Sequence, residues 1–246
     1  MSRFFVPPEQ ITGNTARITG PDVKHISRVL RLTTGDNLTL LDGAGSVYQA
    51  VISEIHKEEI LCMLLAQEAA AAEAALRVTL VQGLPKGDKM ETIIQKCTEL
   101  GVYRIIPLAA HRSVVKLDDK KAAERQERWQ RVAVEAAKQC RRTCVPEVQK
   151  LRRWHEVLAA LPDRALVLLP WEEEKQQSLK QVLQMVPTPS EVYLFIGPEG
   201  GFTPAEAAQV SRPGCYRVTL GSRILRTETA GPAALTMVLY HYGELG

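Results

Sequence analysis

The chain has 246 residues, 45% of them hydrophobic and 24% charged, with a formal net charge of +3. That balance fits a globular chain able to bury a core and excludes a disordered or collagen-like one. No apolar run approaches the roughly 20 residues that span a bilayer. The first residues carry no apolar leader stretch, so a cytosolic location is the expectation. Cys62, Cys97, Cys140, Cys144 and Cys215 are an odd number with no Cys-x-x-Cys spacing, which argues against a disulfide framework. Histidines do not stand near them at ligand spacing, so no metal is expected.

In chain order, Arg3–Val6 and Thr15–Ile18 read as short strands. Pro21 to Leu32 reads as a helix, with Pro near its start and Val23, Ile26, Val29 and Leu30 on one face. Asn37–Leu41, Val47–Ile55 and Ile60–Leu65 are strand-length apolar runs, the first two divided by the turn Asp42-Gly43-Ala44-Gly45. These elements suggest a small, mostly β domain over residues 1–70. The alanine-rich stretch that follows makes 71–75 the expected linker to a second domain, 76–246.

From Leu76 strands and helices alternate. Val78–Gly83, Arg104–Leu108, Leu166–Leu169, Val192–Ile196 and Tyr216–Leu220 are strands. Asp88–Leu100, Asp118 to about Arg141, Leu179–Met185, Pro204–Val210 and Ala233–Tyr242 are helices. Alternation of this kind predicts an α/β fold with a parallel sheet. Ligands of such sheets sit at the carboxyl ends of the strands.

Charge is unevenly spread. Residues 76–160 carry 18 Lys and Arg against 10 Asp and Glu, whereas the flanking thirds are slightly acidic. A basic middle segment fits a polyanion-facing surface. Between Lys116 and Arg131 acids alternate with bases, as on a solvated helix face. Lys138, Arg141 and Arg142 have fewer compensating acids and are the better nucleic-acid candidates.

The dinucleotide fingerprint Gly-x-Gly-x-x-Gly, the P-loop pattern and the Gly-x-Ser-x-Gly elbow are all absent from the sequence. Two other glycine loops stand out. Val-Tyr-Leu-Phe-Ile-Gly-Pro-Glu-Gly-Gly-Phe occupies 192–202, and Leu-Gly-Ser-Arg-Ile-Leu-Arg-Thr-Glu-Thr-Ala occupies 220–230. Each reads as an apolar strand running into a loop where a ligand can approach bare backbone. Together they suggest one small-molecule pocket with Arg223, Arg226 and Glu228 beside it.

This pair of segments resembles the C-terminal signature of the SPOUT methyltransferases, and most closely the bacterial enzymes that methylate N3 of a uridine in 16S ribosomal RNA. Lys86–Glu91, Gln95–Val102, Glu135–Arg142 with Pro146, His25–Arg31 and Asp42-Gly43 resemble the same family. The resemblance implies a PUA-like β-barrel that helps hold RNA, followed by an α/β domain whose end threads a deep trefoil knot. It further implies S-adenosylmethionine as cofactor, 16S ribosomal RNA or the small subunit as substrate, and a homodimer.

Within that resemblance, Leu169, Pro170, Gly197, Pro198, Gly200, Gly201, Leu220, Gly221, Ile224, Leu225 and Ala230 are the expected cofactor contacts. Uridine N3 is a poor nucleophile until it loses its proton. An arginine fork stabilises the resulting anion and a carboxylate can accept the proton. Arg226, Glu228 and Glu199 are the candidates, although Glu228 also suits a helix start through the dipole alone. Arg28, Arg31, Lys86, Lys89, Arg112, Lys138, Arg141, Arg142 and Arg223 are the expected RNA contacts, phosphate contacts serving to position rather than read. Trp129, Trp154 and Trp171 read as packing rather than base-stacking residues. Two departures from the family pattern stand out: Gly231-Pro232 at the opening of the final helix, and the charged Trp171–Glu174 run. A non-catalytic RNA-binding or ribosome-assembly protein, and a small-molecule α/β enzyme, remain the competing readings.

Overall fold

A computed structural model describes residues 2–68, 73–115 and 117–246. Residues 71 and 72 of the expected linker, and Lys116, lie outside them. The chain divides into two compact units, Met1–Glu73 with Ala137–Val145, and Ala74–Ala136 with Pro146–Gly246.

In the first unit the described residues form a six-stranded sheet. Its strands are β1 (Arg3–Phe5), β2 (Ile11–Thr12), β3 (Thr15–Thr19), β4 (Asn37–Leu41), β5 (Val47–Ile55) and β6 (Glu59–Glu68), in the order β1-β4-β5-β6-β3-β2. The β1–β4 pair is parallel and the rest are antiparallel. Phe4, Ile18, Leu38, Leu40, Ile52 and Ile60 project into its core. The turn after β4 closes on Asp42, whose Oδ1 accepts from the N–H groups of Ala44 and Ser46 at 2.8 and 2.9 Å. Such a local side-chain bond is why Asp suits a turn.

Helix α1 (Pro21–Lys24) continues as a wider π-type turn over His25–Val29. The expected helix to Leu32 is therefore too long. Val23 and Ile26 are buried, but Val29 is 68% exposed. The wide turn, marked by the Leu30 N–H to His25 carbonyl bond of 2.9 Å, breaks the 3.6-residue spacing on which the apolar face was read. Arg31 lies beyond the helix at φ +54°, so Arg28 and Arg31 do not share a helix face.

In the second unit all strand pairs are parallel. The strands β7 (Arg77–Gly83), β8 (Arg104–Ala109), β10 (Arg152–Arg153), β11 (Leu166–Pro170), β12 (Glu191–Ile196) and β13 (Cys215–Val218) run in the order β10-β8-β7-β12-β11-β13, with β9 (Glu147–Val148) also on β8. Helices α2 (Lys89–Glu99), α3 (Asp119–Cys140), α4 (Trp154–Ala159), α5 (Leu179–Met185), α6 (Pro204–Gln209) and α7 (Thr227–His241) complete the described elements. Val81, Leu108, Val167, Leu169, Phe195 and Phe202 fill one side of the sheet. Trp154 packs there, its ring 5.6 Å from that of Phe195 and its Nε1 donating to Gln209 at 2.9 Å. Trp129 is buried too.

The last helix begins at Thr227, six residues before its expected start, and encloses Gly231 and Pro232. Pro232 is its sixth residue, so the ring removes one backbone donor only a turn beyond the naturally unpaired start. At Gly231 a Cβ would stand 3.4 Å from Gln82 Oε1 of β7, an ordinary van der Waals contact. Among the described residues no helix is long and apolar enough to cross a membrane.

Candidate active site

The carboxyl ends of β11, β12 and β13 point the same way because these strands are parallel. The loops that follow them wall a cavity of about 720 Å³. Gly197, Pro198, Glu199 and Gly201 come from the first glycine loop, and Leu220 through Thr227 from the second. Pro170, Trp171, Glu172 and Lys175 come from the loop after β11. Of the charged run after Trp171, Glu172 lines the cavity whereas Glu173 and Glu174 do not. Glu174 accepts from the N–H groups of Gln176 and Gln177 at 2.7 and 3.0 Å.

The two glycine loops are tied to each other and to β7. Thr227 Oγ1 donates to the Gly197 carbonyl at 2.7 Å and accepts from Gln82 Nε2 at 2.9 Å. Gln82 Nε2 also donates to the Gly83 carbonyl at 3.0 Å. Backbone packing is close. A Cβ on Gly83 would lie 2.6 Å from Pro198 Cδ, and one on Gly197 would lie 2.9 Å from the Gly201 Cα. Only residues without side chains permit these approaches. Gln82 and Thr227 escaped the sequence reading. Their signal was present: a lone Gln in an apolar strand, and a Thr after the second glycine loop.

Lys89, at the start of α2, reaches two carboxylates. Its Nζ lies 3.0 Å from Glu199 Oε1 and 3.3 Å from Glu228 Oε2. Glu199 also accepts from the Lys86 backbone N–H at 3.1 Å. Burial alone would push Glu199 up, but the Lys89 hydrogen bond and nearby backbone N–H groups hold it below its ordinary value. Glu228 is lowered first by its own backbone N–H and then, against some burial, by Lys89. The same contacts, that with Glu199 first, raise Lys89. Both carboxylates are therefore ionised around neutrality. Glu228 Oε2 is buried, and its contact with Lys89 is an ion pair lacking hydrogen-bond geometry.

Of the expected cofactor contacts, Pro170, Gly197, Pro198, Gly201, Leu220, Gly221, Ile224, Leu225 and Ala230 line the cavity. Leu169 and Gly200 do not. Leu169 is fully buried in the sheet core, because its side chain alternates away from the loop. Gly200 faces Arg112, whose Nη1 donates to the Gly200 carbonyl at 2.9 Å. Of the three expected catalytic residues, Arg226 and Glu199 line the cavity, whereas Glu228 does not and pairs with Lys89, which does.

The expected RNA contacts separate as well. Lys89 and Arg223 line the cavity. Lys138 Nζ is 3.1 Å from Asp22, and Arg142 Nη2 is 2.8 Å from Glu73. Glu73 also accepts from the N–H groups of Thr143 and Cys144, each at 3.0 Å. Lys138 and Arg142 thus close ion pairs within the first unit rather than standing free for phosphate.

A parallel sheet ending in a glycine-walled cavity defines the class, and comparison with known proteins agrees. Residues 72–239 match the RNA methyltransferase domain and residues 18–64 the RNA methyltransferase PUA domain. The chain is 37% identical to the Bacillus subtilis ribosomal RNA small subunit methyltransferase E, over 98% of this chain and 96% of that protein. It is 35% identical to the Synechocystis protein of that name, over 96% of this chain and 76% of that one. The crystal structure of the Neisseria gonorrhoeae ribosomal RNA small subunit methyltransferase E bound to S-adenosyl methionine is 34% identical, covering 97% of both chains with a TM-score of 0.83. The chain belongs to the ribosomal RNA small subunit methyltransferase E family.

Proposed function

We propose that this chain transfers the methyl group of S-adenosylmethionine to N3 of a uridine in the 16S ribosomal RNA of the small subunit. The observation that carries the reading is the convergence of both glycine loops on one cavity with Arg226 and Glu199 in its wall. The cavity residues suit the cofactor. Ile224 is a large apolar side chain left 81% exposed on the cavity, fit to cover an adenine ring. Trp171 Nε1 is a buried donor without an acceptor among the described residues. Glu172, also lining the cavity, suits the ammonium of the cofactor's amino-acid end.

Bound S-adenosylmethionine supplies an electrophilic methyl group on a cationic sulfonium. The chain's own residues do the rest. Backbone at Gly197, Leu220 and Gly221 holds the nucleoside without needing charged side chains. Arg226 stabilises the uridine anion as negative charge spreads over the carbonyls flanking N3. Glu199, ionised and in the cavity wall, receives the proton once Lys89 shifts away from it. Glu228 keeps Lys89 in reach through its ion pair.

The family supports the remaining parts of the proposal. These are a SPOUT-type trefoil knot in the catalytic domain, residues 76–246, and a PUA-like RNA-binding barrel over residues 1–70. They also include a homodimer acting in the cytoplasm, with Arg28, Arg31, Lys86, Arg112 and Arg223 along the RNA path. Calorimetry should find saturable S-adenosylmethionine binding, and mass mapping of 16S ribosomal RNA should find one methyluridine missing from cells without this protein. Absence of cofactor binding at millimolar concentration would sink the reading.

A further inference from the structure

The carboxyl end of α3 carries an unexpected side chain. The Arg142 N–H donates to the Ala137 carbonyl at 3.0 Å and the Arg141 N–H to the Lys138 carbonyl at 3.3 Å. This bond pair closes a helix through one left-handed residue, usually glycine. Here that residue is Arg141, at φ +62°. A Cβ in this conformation is strained, and strain that persists points to a use for the side chain.

Arg141 lines an open cleft of about 450 Å³ together with Arg3, Thr39, Gln49, Lys138 and Gln139. All six belong to the first unit. Arg3 of β1 pairs with Thr39 of β4, and Thr39 pairs with Gln49 of β5. Directly paired residues present their side chains on one face of a sheet, so these three form a single cross-strand row. The last turn of α3 and the residue after it supply the rest of the lining. Lys138 is engaged by Asp22, and Gln49 by Glu68 at 2.8 Å. Arg3 and Arg141 have no ion-pair partner among the described residues.

We propose that this cleft seats the sugar–phosphate backbone of the substrate RNA, with Arg3 and Arg141 each taking a phosphodiester. The inference rests on the RNA methyltransferase reading above. A guanidinium fork matches two phosphate oxygens, and such contacts hold RNA in place without reading its sequence. The assignment moves the phosphate load from Lys138 and Arg142, which are ion-paired, to Arg141 and a residue some 140 positions away in the chain.

The left-handed position makes the test distinctive. Arg141→Gly removes the guanidinium while relieving the backbone, so the variant should melt no lower than the wild type. Its binding to a 16S ribosomal RNA fragment should weaken, and the slope of log affinity against log salt should flatten by about 0.7–0.9. Arg3→Ala should flatten the slope by a similar amount, and the double variant by about twice as much. Arg141→Lys, which keeps the charge, should retain the slope. Unchanged slopes in Arg3→Ala and Arg141→Gly, with a wild type that binds and methylates the RNA, would overturn the cleft. A lowered melting temperature in Arg141→Gly would overturn the argument that strain is retained for this side chain. A wild type that neither binds RNA nor transfers methyl would instead overturn the underlying reading.

Discussion

Thr227 Oγ1 donates a 2.7 Å hydrogen bond to the carbonyl of Gly197. That bond joins the first residue of α7 to the first residue after β12, the two loops that wall the cavity. The same hydroxyl accepts from Gln82 of β7 at 2.9 Å. Thr227→Val is nearly isosteric, but it leaves one amide hydrogen of the buried Gln82 unpaired and takes the donor from the half-buried Gly197 carbonyl. It should lower stability by about 1–3 kcal/mol, the usual cost of unpaired buried polar groups. Cofactor binding should weaken with it, whereas Thr227→Ser should behave much as wild type. Denaturant unfolding and calorimetry on the three proteins check this.

Gly83→Ala tests the backbone contact between β7 and the first glycine loop. The new methyl would stand 2.6 Å from Pro198 Cδ and 2.7 Å from its nitrogen. Backbone rather than a flexible side chain must move, which costs about 1–3 kcal/mol. Because Pro198 lines the cavity, the displacement should reach the cofactor. A loss of about 1.4 kcal/mol in binding would read as tenfold weaker affinity. Wild-type affinity in a folded Gly83→Ala protein would show that the loop adjusts without disturbing the site.

Lys89→Met should change the pH dependence of methyl transfer. The ammonium helps hold Glu199 and Glu228 below their ordinary values. Removing it raises both, so protonation sets in at higher pH. The acid limb of the rate profile should therefore move upward, with the loss of activity largest on the acid side. Lys89→Arg should restore the limb. A profile that merely drops without moving would assign Lys89 a purely structural role.

Glu73 should make the first unit acid-sensitive. Burial opposes its charge, but Arg142 and the N–H groups of Cys144 and Thr143 more than offset that and hold its carboxyl below the ordinary value. A carboxylate lowered in the folded state stabilises above its unfolded value, and that stabilisation is lost as pH falls through the lower folded value. Melting temperature should thus decline below about pH 4.5, the group's ordinary value. Glu73→Gln should cost about 2 kcal/mol at neutral pH, where charged hydrogen bonds are lost, and should flatten the acid decline. Thermal melts across pH would show both effects.

Much of the fold was legible because it rests on local chemistry. The apolar runs of β4, β5, β7 and β12 lie within a residue or so of their expected bounds, since each is a short stretch ended by turn residues. Where local rules competed, the reading slipped. The π-type turn at His25–Val29 turned Val29 outward although its spacing suited an inward face. Pro232 suggested a late helix start, yet α7 tolerates it in its second turn. The two-residue strands β9 and β10, and α4, are too short to announce themselves by periodicity.

The site divided along the same line. The glycine loops and their arginines could be named from the sequence, because a strand ending in Gly-Pro-Glu-Gly-Gly carries its own backbone requirement. How the charges pair with one another could not. Lys89 meets Glu199 and Glu228, 110 and 139 residues further on, and Arg142 meets Glu73. Such pairings arise from long-range approach of elements whose ends sequence spacing does not bring together. The sequence by itself determined the order of elements, the loops at the strand ends and the family they resemble. Only the tertiary structure decided that Lys89 stands between two carboxylates, that Lys138 and Arg142 close ion pairs, and that Arg3 and Arg141 lie in one cleft. A charged side chain takes its role from what lies within a few ångströms, and that distance is set by folding.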